Sequence, residues 1–372
     1  MKYNLRALLI LIFLPACDGM LGTDVPIYKQ NYLQPPPALD DGLAVSSPVD
    51  EGLDSARLYD LVREIQNAAP DKLRSILIAR NNKLVFEAYF GAWHRDRKQD
   101  LRSASKSFVS AVMGIAIDKG VVKDVDQPVL SYFPEYESIR NWDDRKAEMT
   151  IRDFLRMRTG LSCNDWVPYS QGNEEYMYET DDWIRFVFDL PVMHDPGEQF
   201  SYCSGAPIVL SAVITKSWDE GCVAFADEYL FKPLGITDYV WEYMPARREY
   251  AGGKLHMRPR DALKLGLLFL NDGTWNGTQV ISPEWIAEST RPDGVIPTQR
   301  EGVEYGYYWW YTTWTIDGQE IEAYYAHGNG GQVMYVLEDL NMVVLFTGGA
   351  YNTNAESRCY HIMRRTILPA VK

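Results

Sequence analysis

The stretch "LRSASKSFVSAVMGIAIDKG", residues 101–120, joins a serine, a second serine and a lysine directly to an apolar run. Apolar residues recur in this run at helical spacing, and Lys119-Gly120 is typical of a helix end. If the helix begins near Ser103, the side chains of Ser103 and Lys106 project from the same side. Two interpretations follow. Ser103 is either a helix N-cap beside a solvated lysine, or a nucleophile whose hydroxyl proton Lys106 helps to remove.

The composition of the 372-residue chain is that of a soluble globular protein, with 46% hydrophobic and 24% charged residues. This length allows one large domain or two smaller ones. A formal net charge of −14 disfavours nucleic acid and anionic membrane surfaces as partners. No two cysteines have the C-x-x-C spacing of a zinc site, and the five histidines form no H-E-x-x-H. We therefore expect neither a metal nor a cofactor.

Residues 1–16 have the features of a secretory signal, a basic start followed by a short apolar stretch. The stretch ends in Leu-Pro-Ala ahead of Cys17, which resembles the bacterial lipoprotein signal, where cleavage leaves a lipid-modified cysteine. An ordinary signal peptide with an incidental cysteine is the alternative. Residues 17–50 contain proline, glycine and aspartate without periodicity, which predicts a flexible tether. We expect a lipid anchor on the periplasmic side of a bacterial envelope, with Asp18 favouring the inner membrane.

Strand patterns occur near both ends of the remaining chain, residues 51–372, and helical patterns dominate the middle, about 120–290. The strand pairs are 75–79 with 84–90, and 332–337 with 342–347. Flanking helices are expected near 58–65, after Asp54 as the cap, and at about 356–368. We predict an α/β (α+β) fold: one antiparallel sheet formed from both chain ends, flanked by helices, with a mostly helical inserted subdomain. A cleft between sheet and insert is the expected place for a site.

Two further stretches carry side chains or backbone suited to acyl-transfer chemistry. In "PGEQFSYCSGAPIVLSAVI", Tyr202 lies two residues before Ser204, where its phenol could act as acid or base beside the lysine. In "YYAHGNGGQVMYVL", glycines precede a predicted strand and permit close approach of backbone to a ligand. Taken alone, each pattern also fits a packed tyrosine and an ordinary glycine-rich bend.

The order of these motifs resembles the serine β-lactamase and penicillin-binding-protein superfamily. Ser-x-x-Lys opens a buried helix, Tyr-x-Ser follows 99 residues later, and a glycine-rich strand start lies in the C-terminal sheet. The stretches "VDQPVLSYFPEY", "MTIRDFLRMRTGL", "FKPLGITDYVWE" and "RPRDALKLGLLFLNDGTWNGTQVISPEWI" are similar to segments of its class C β-lactamase-like branch. That branch includes esterases, D-amino-acid peptidases and 6-aminohexanoate-dimer hydrolases. The resemblance covers about residues 52–368 and implies a β-lactamase/transpeptidase-like fold.

The resemblance also implies roles for individual residues. Ser103 matches the acyl-accepting nucleophile, Lys106 its activating partner, and Tyr202 the tyrosine that serves as general base or acid. Ser204 occupies a position where many relatives carry asparagine. The pair Gly328-Asn329 matches the strand position whose backbone N–H forms an oxyanion hole together with that of Ser103.

Other residues around the expected cleft bear on substrate and stability. His327 begins His-Gly-Asn-Gly, which replaces the Lys-Thr-Gly triplet of true β-lactamases, so no fixed lysine charge is expected there. Several aromatic residues either line the cleft or belong to the core; they are Trp166, Tyr169, Trp309, Trp310 and Tyr311. In the resembled fold Cys163 and Cys203 border the same cleft, which implies a disulfide in an oxidising periplasm; two buried free thiols are the alternative. Pairing of Cys222 with Cys359 is a companion expectation.

The leading hypothesis is a periplasmic, lipid-anchored serine hydrolase that cleaves a small-molecule ester or amide through a Ser103 acyl-enzyme. Two alternatives stay open. One is D-amino-acid peptidase or β-lactamase activity, and the other is a non-catalytic cell-wall-binding lipoprotein that keeps the fold as a recognition surface. A Ser-His-Asp hydrolase is disfavoured, because no G-x-S-x-G elbow occurs in the chain.

Overall fold

The computed structural model describes residues 32–67, 72–244, 248–249, 253–298 and 301–372. Strands account for much of this part of the chain. In chain order they are β1 (Ala44–Val45), β2 (Leu73–Arg80), β3 (Lys83–Tyr89), β4 (Gln99–Asp100), β5 (Tyr239–Trp241), β6 (Tyr243–Met244), β7 (Arg248–Glu249), β8 (Leu255–Met257), β9 (Thr274–Trp275), β10 (Thr278–Gln279), β11 (Glu304–Tyr305), β12 (Trp310–Ile316), β13 (Gln319–Gly328), β14 (Gln332–Leu337) and β15 (Met342–Gly348).

The helices lie mainly between the two groups of long strands. In chain order they are α1 (Ser55–Asn67), α2 (Ser105–Asp118), α3 (Ile151–Leu155), α4 (Glu174–Tyr178), α5 (Trp183–Phe188), α6 (Gly205–Ser217), α7 (Cys222–Ala226), α8 (Pro259–Leu270), α9 (Pro283–Ser289) and α10 (Ala355–Ile362). A π-helical turn, Met363–Ile367, continues α10.

An eight-stranded sheet unites the two ends of the chain, in the order β1-β3-β2-β15-β14-β13-β12-β11. All neighbours pair antiparallel except β1 with β3. This confirms the predicted fold and both predicted hairpins, which now join through the pairing of β15 with β2. The hairpin of β12 and β13 was not predicted. The first residues of β13, next to the turn, are mostly exposed, so the sequence there lacks the apolar run that marks a buried strand.

Helices cover both faces of the sheet. On one face α8 packs against β14 and β15, where Gly266 approaches Met334 and Val343. On the other face α10 contacts β14, and Tyr360 of α10 stacks on Trp314. The predicted flanking helices are therefore confirmed, and α1, which packs beside the π-helical turn, is capped by Asp54 as expected.

Residues 37–45 contact the folded body, although they fall within the segment predicted to be a tether. Strand β1 pairs with β3, and the buried Arg260 of α8 bonds to Asp41 and to the carbonyl oxygen of Pro37. Arg260 also forms a bidentate pair with Glu87, which is fully buried on β3. The tether prediction is thus wrong at its C-terminal end, because a buried guanidinium needs acceptors that residues 37–41 help to supply.

Helix α2, which follows the candidate nucleophile Ser103, lies between the sheet and the helical region. Helix α2 packs on α6 and contacts the end of β13. Helix α6 is buried on nearly its whole circumference, which suits its almost uniformly apolar sequence. In the described residues no helix is both long and apolar enough to cross a bilayer. The same residues contain no cluster of three potential metal ligands.

Candidate active site

Ser103 and Lys106 lie where α2 meets the sheet. Ser103 belongs to a 3-10 turn, Arg102–Ala104, and caps no helix. Lys106 is only 2% exposed, and its Nζ donates to Ser103 Oγ at 2.9 Å and to Ser204 Oγ at 3.2 Å. The interpretation as a helix N-cap beside a solvated lysine is therefore wrong. A buried amine that faces two hydroxyls is suited to hold or move a proton.

The turn that presents Ser103 has an unusual backbone and a close neighbour. Arg102 has φ 51°, and its N–H donates to Asp100 Oδ1 at 2.8 Å. This turn packs on Gly328, the last residue of β13, where an added Cβ would lie 2.3 Å from the carbonyl oxygen of Leu101. Only glycine allows this contact, which brings the end of β13 to the residues around Ser103.

The turn before α6 carries Tyr202 and Ser204. Tyr202 is 7% exposed, and the centroid of its ring lies 5.0 Å from Lys106 Nζ. Ser204, which receives the Lys106 hydrogen bond, is buried at the start of α6. Lys106 therefore connects the Ser103 turn to the Tyr202 turn, which lies about a hundred residues later in the sequence.

The predicted disulfide between Cys163 and Cys203 is confirmed, with the two Cα atoms 5.5 Å apart. It anchors the turn of Tyr202 to the segment that follows α3. The companion pairing of Cys222 with Cys359 is wrong: both are buried thiols outside any disulfide. Cys222 lies at the start of α7, whereas Cys359 lies in α10, on the face of the sheet opposite α8.

A line of aromatic rings runs from the Tyr202 turn to the sheet. The ring centroids of Trp166 and Tyr202 lie 5.3 Å apart in a stacked pair, and those of Trp310 and Tyr202 lie 5.7 Å apart. The rings of His327 and Trp310 form a T-shaped pair with centroids 5.8 Å apart. His327 Nε2 lies 3.6 Å from a carboxylate oxygen of Glu356. Trp166 and Trp310 therefore flank Tyr202, and His327 and Gly328 adjoin them on β13.

For Trp309 and Tyr311, the two neighbours of Trp310, the contacts favour the second alternative, a place in the core. Trp309 packs between Phe269 of α8 and Tyr324, and the ring of Tyr311 also meets that of Tyr324. Alternate residues of β12 point to opposite faces, so these rings belong to the α8 side. Tyr169, in contrast, is 85% exposed and therefore does not belong to the core.

Asn329, directly after β13, is fixed through its side chain. Its Nδ2 donates to Asn352 Oδ1 at 2.7 Å, and the Asn352 N–H donates to Asn329 Oδ1 at 2.8 Å. This reciprocal pair ties the end of β13 to the loop after β15.

A family model described as Beta-lactamase matches residues 72–364. The chain belongs to the Beta-lactamase family. A curated relative, the 6-aminohexanoate-dimer hydrolase of Paenarthrobacter ureafaciens, is 24% identical over 289 residues, which cover 69% of this chain and 68% of that protein. The resemblance inferred from the motifs is therefore confirmed.

Solved structures of two other hydrolases share the fold. A family VIII carboxylesterase superposes with a TM-score of 0.65 at 17% identity, covering 81% of this chain and 92% of that one. A D-stereospecific amidohydrolase from Streptomyces sp. gives a TM-score of 0.63 at 15% identity, covering 84% and 98%.

This member of the Beta-lactamase family has one site residue that the sequence did not reveal. Asp165 Oδ2 accepts the N–H of Ser204 at 2.6 Å, and its Oδ1 accepts the N–H of Glu174 at 3.0 Å. Burial, and then the charge of Glu174, raise the pKa of Asp165 to about 6, against the opposing influence of Lys106 and the bonds from Ser204. No sequence motif marks this aspartate, two residues after Cys163, so only the folded loop identifies it.

The structure thus brings together most of the predicted site residues of this family member. Five segments contribute them: the 3-10 turn before α2, α2 itself, the loop between α3 and α4, the turn before α6 and the end of β13. The residues are Ser103, Lys106, Trp166, Tyr202, Ser204, His327, Gly328 and Asn329. The predicted lipidation residue Cys17 and the sorting residue Asp18 lie outside the described residues.

Proposed function

We propose that the protein is a serine hydrolase that cleaves small esters or amides through an acyl-enzyme on Ser103. The observation that carries this proposal is the position of the Lys106 amine, which is buried, 2.9 Å from Ser103 Oγ and 3.2 Å from Ser204 Oγ. A lysine is costly to bury, so a buried amine aimed at a serine hydroxyl suits proton transfer better than structural support.

In the first half of the proposed reaction, Ser103 Oγ attacks the substrate carbonyl carbon. The hydroxyl proton passes to the group formed by Lys106 and Tyr202, whose ring lies 5.0 Å from the amine. The carbonyl oxygen becomes an oxyanion. When the tetrahedral intermediate collapses, the bond to the alcohol or amine breaks, and the leaving group takes up the proton that Lys106 and Tyr202 hold.

The oxyanion is proposed to bind the backbone N–H groups of Ser103 and Asn329. Contact of Gly328 with the nucleophile turn, together with the carboxamide pair of Asn329 and Asn352, supports this assignment, because both fix the backbone in advance. In the second half, water attacks the acyl-enzyme ester, the same side chains accept its proton, and the freed acid leaves with the proton returned to Ser103.

The expected substrate is a small ester or amide with an apolar acyl group, rather than a β-lactam. The Lys-Thr-Gly lysine is replaced, since His327-Gly328-Asn329 occupies its position. Trp166 and Trp310 flank Tyr202 and offer apolar surface instead. The names of the relatives, a dimer hydrolase, a carboxylesterase and an amidohydrolase, support the same class of substrate.

Covalent labelling tests the proposed nucleophile. Wild-type protein treated with a fluorophosphonate is expected to gain one adduct, which peptide mass spectrometry assigns to Ser103. Ser103→Ala should lose both the adduct and the hydrolysis of p-nitrophenyl esters. Ser131→Ala removes an exposed serine of the helical region and is the matched control. An adduct on any other serine would overturn the assignment.

The proposed proton carriers are tested by kinetics. Lys106→Ala and Tyr202→Phe should each lower kcat by on the order of a hundredfold or more, the scale typical of a general acid–base group. Wild-type turnover in both variants would leave the mechanism without a proton carrier and refute it.

We propose in addition that the mature protein is anchored by lipid on Cys17 at the periplasmic face of the cell envelope. The support is the signal-like residues 1–16 directly ahead of that cysteine. Cys17→Ser should release the protein from membranes in cell fractionation. Recovery of wild-type protein in the soluble periplasmic fraction with an unmodified N-terminus would contradict the proposal.

A further inference from the structure

Asp165 connects the two segments that the disulfide joins. Its own N–H donates to the carbonyl oxygen of Tyr202 at 2.9 Å, and its Oδ2 accepts the N–H of Ser204 at 2.6 Å. The Ser204 hydroxyl also interacts with the carboxylate. Asp165 therefore holds the turn on both sides of Cys203, and Trp166, the next residue, covers the Tyr202 ring.

The carboxylate continues a chain of contacts that begins at the nucleophile. Lys106 Nζ donates one hydrogen bond to Ser103 Oγ and another to Ser204 Oγ. The backbone N–H of Ser204 in turn donates to the Asp165 carboxylate. Two charged groups act on Asp165 from neighbouring elements. Glu174 of α4 disfavours its ionisation, and Lys106 of α2 favours it.

We propose, resting on the function proposed above, that the ionised form of Asp165 is a positioning residue for the Ser103 chemistry. It fixes Ser204 and the Tyr202 turn and so keeps Lys106 directed at Ser103. It does not touch the substrate. The neutral acid is a weaker acceptor for the Ser204 N–H than the carboxylate and no longer attracts the lysine, so protonation loosens this arrangement.

The balance of charges sets the pH range of this effect. Burial and Glu174 raise the pKa of Asp165 to about 6, so the carboxylate forms between pH 5 and 7 rather than near pH 4. The value of kcat/KM should therefore rise with pH through about 6, since its pH profile reports the free enzyme.

Stability changes in the opposite direction, which separates positioning from support of the fold. A carboxyl group with a raised pKa in the folded state stabilises the protein at low pH, and that contribution is lost as pH rises from about 4 to about 6. Asp165 ionisation thus lowers stability over the range in which activity is expected to increase. A purely structural cap gives no such gain in activity.

The first experiment compares the pH profiles of wild-type protein and Asp165→Asn on a neutral p-nitrophenyl ester. The variant keeps the shape and an acceptor oxygen but cannot ionise. We expect kcat to fall by on the order of tenfold to a hundredfold, the scale of a small misplacement, and the acid limb near pH 6 to disappear. Unchanged kcat together with an unchanged acid limb would overturn the proposal.

The second experiment leaves Asp165 in place and changes its neighbour. Glu174→Gln removes a charge that raises the pKa of Asp165, so the acid limb should move to lower pH while the plateau rate stays the same. Glu175→Gln, an exposed change of equal charge on the same helix, should leave the limb in place. If Glu174→Gln leaves the limb at its wild-type pH, Asp165 is not the titrating group, whether or not Asp165→Asn folds.

Fluorophosphonate labelling separates failure of this inference from failure of the proposed function. If Ser103 is labelled in wild-type protein but both variants keep the wild-type pH profile, only the role of Asp165 is refuted. If Ser103 is not labelled in wild-type protein, the Ser103 hydrolase itself is refuted, and the inference fails with it.

Discussion

Removal of the Cys163–Cys203 disulfide should lower both stability and activity. The bridge joins positions 40 residues apart, and the loss of loop-closure entropy in the unfolded chain then corresponds to about 4 kcal/mol of stability. With an unfolding slope of about 2–3 kcal/mol per molar urea, this predicts a midpoint lower by roughly 1.3–2 M in a Cys163→Ala/Cys203→Ala variant. Urea unfolding followed by tryptophan fluorescence measures it.

The same variant is expected to lose turnover, because the bridge lies directly beside Tyr202 and restrains the segment of Asp165 and Trp166. Initial rates at saturating ester should fall while the protein remains folded in dilute buffer. Cys222→Ala removes a buried thiol outside the bridge and is the control, with a smaller loss of stability and no loss of kcat. Equal urea midpoints for oxidised and fully reduced wild-type protein would refute the reasoning.

Two further substitutions probe contacts seen only in the folded protein. Gly328→Ala places a Cβ 2.3 Å from the Leu101 carbonyl oxygen, so we expect a loss of about 1–3 kcal/mol in thermal unfolding and a large fall in kcat; a wild-type rate would show that this contact does not shape the site. Glu87→Gln removes the buried charge that faces Arg260 and should cost about 3–5 kcal/mol in urea unfolding with kcat unchanged. A stability loss below about 1 kcal/mol would contradict the assigned burial of the pair.

Local sequence alone determined the elements whose contacts lie close together in the chain. Ser103 and Lys106 are three residues apart, so any helical start at this point brings them together. The hairpins of β2 with β3 and β14 with β15 follow from alternating apolar runs joined by short turns. Similarity of the ordered motifs to a known family supplied the rest of the architecture, including the pairing of Cys163 with Cys203.

Tertiary structure decided the relations between residues far apart in sequence. Lys106 meets Ser204 across 98 positions, and Asp165 reaches Ser204 across 39, contacts that no local periodicity encodes. The choice of Trp310 over Trp309 as a neighbour of Tyr202 depends on the register of β12, because a shift by one residue exchanges the two faces of a strand. Side-chain type is written in the sequence, but distance and burial, which give Asp165 its altered pKa, exist only once the chain has folded.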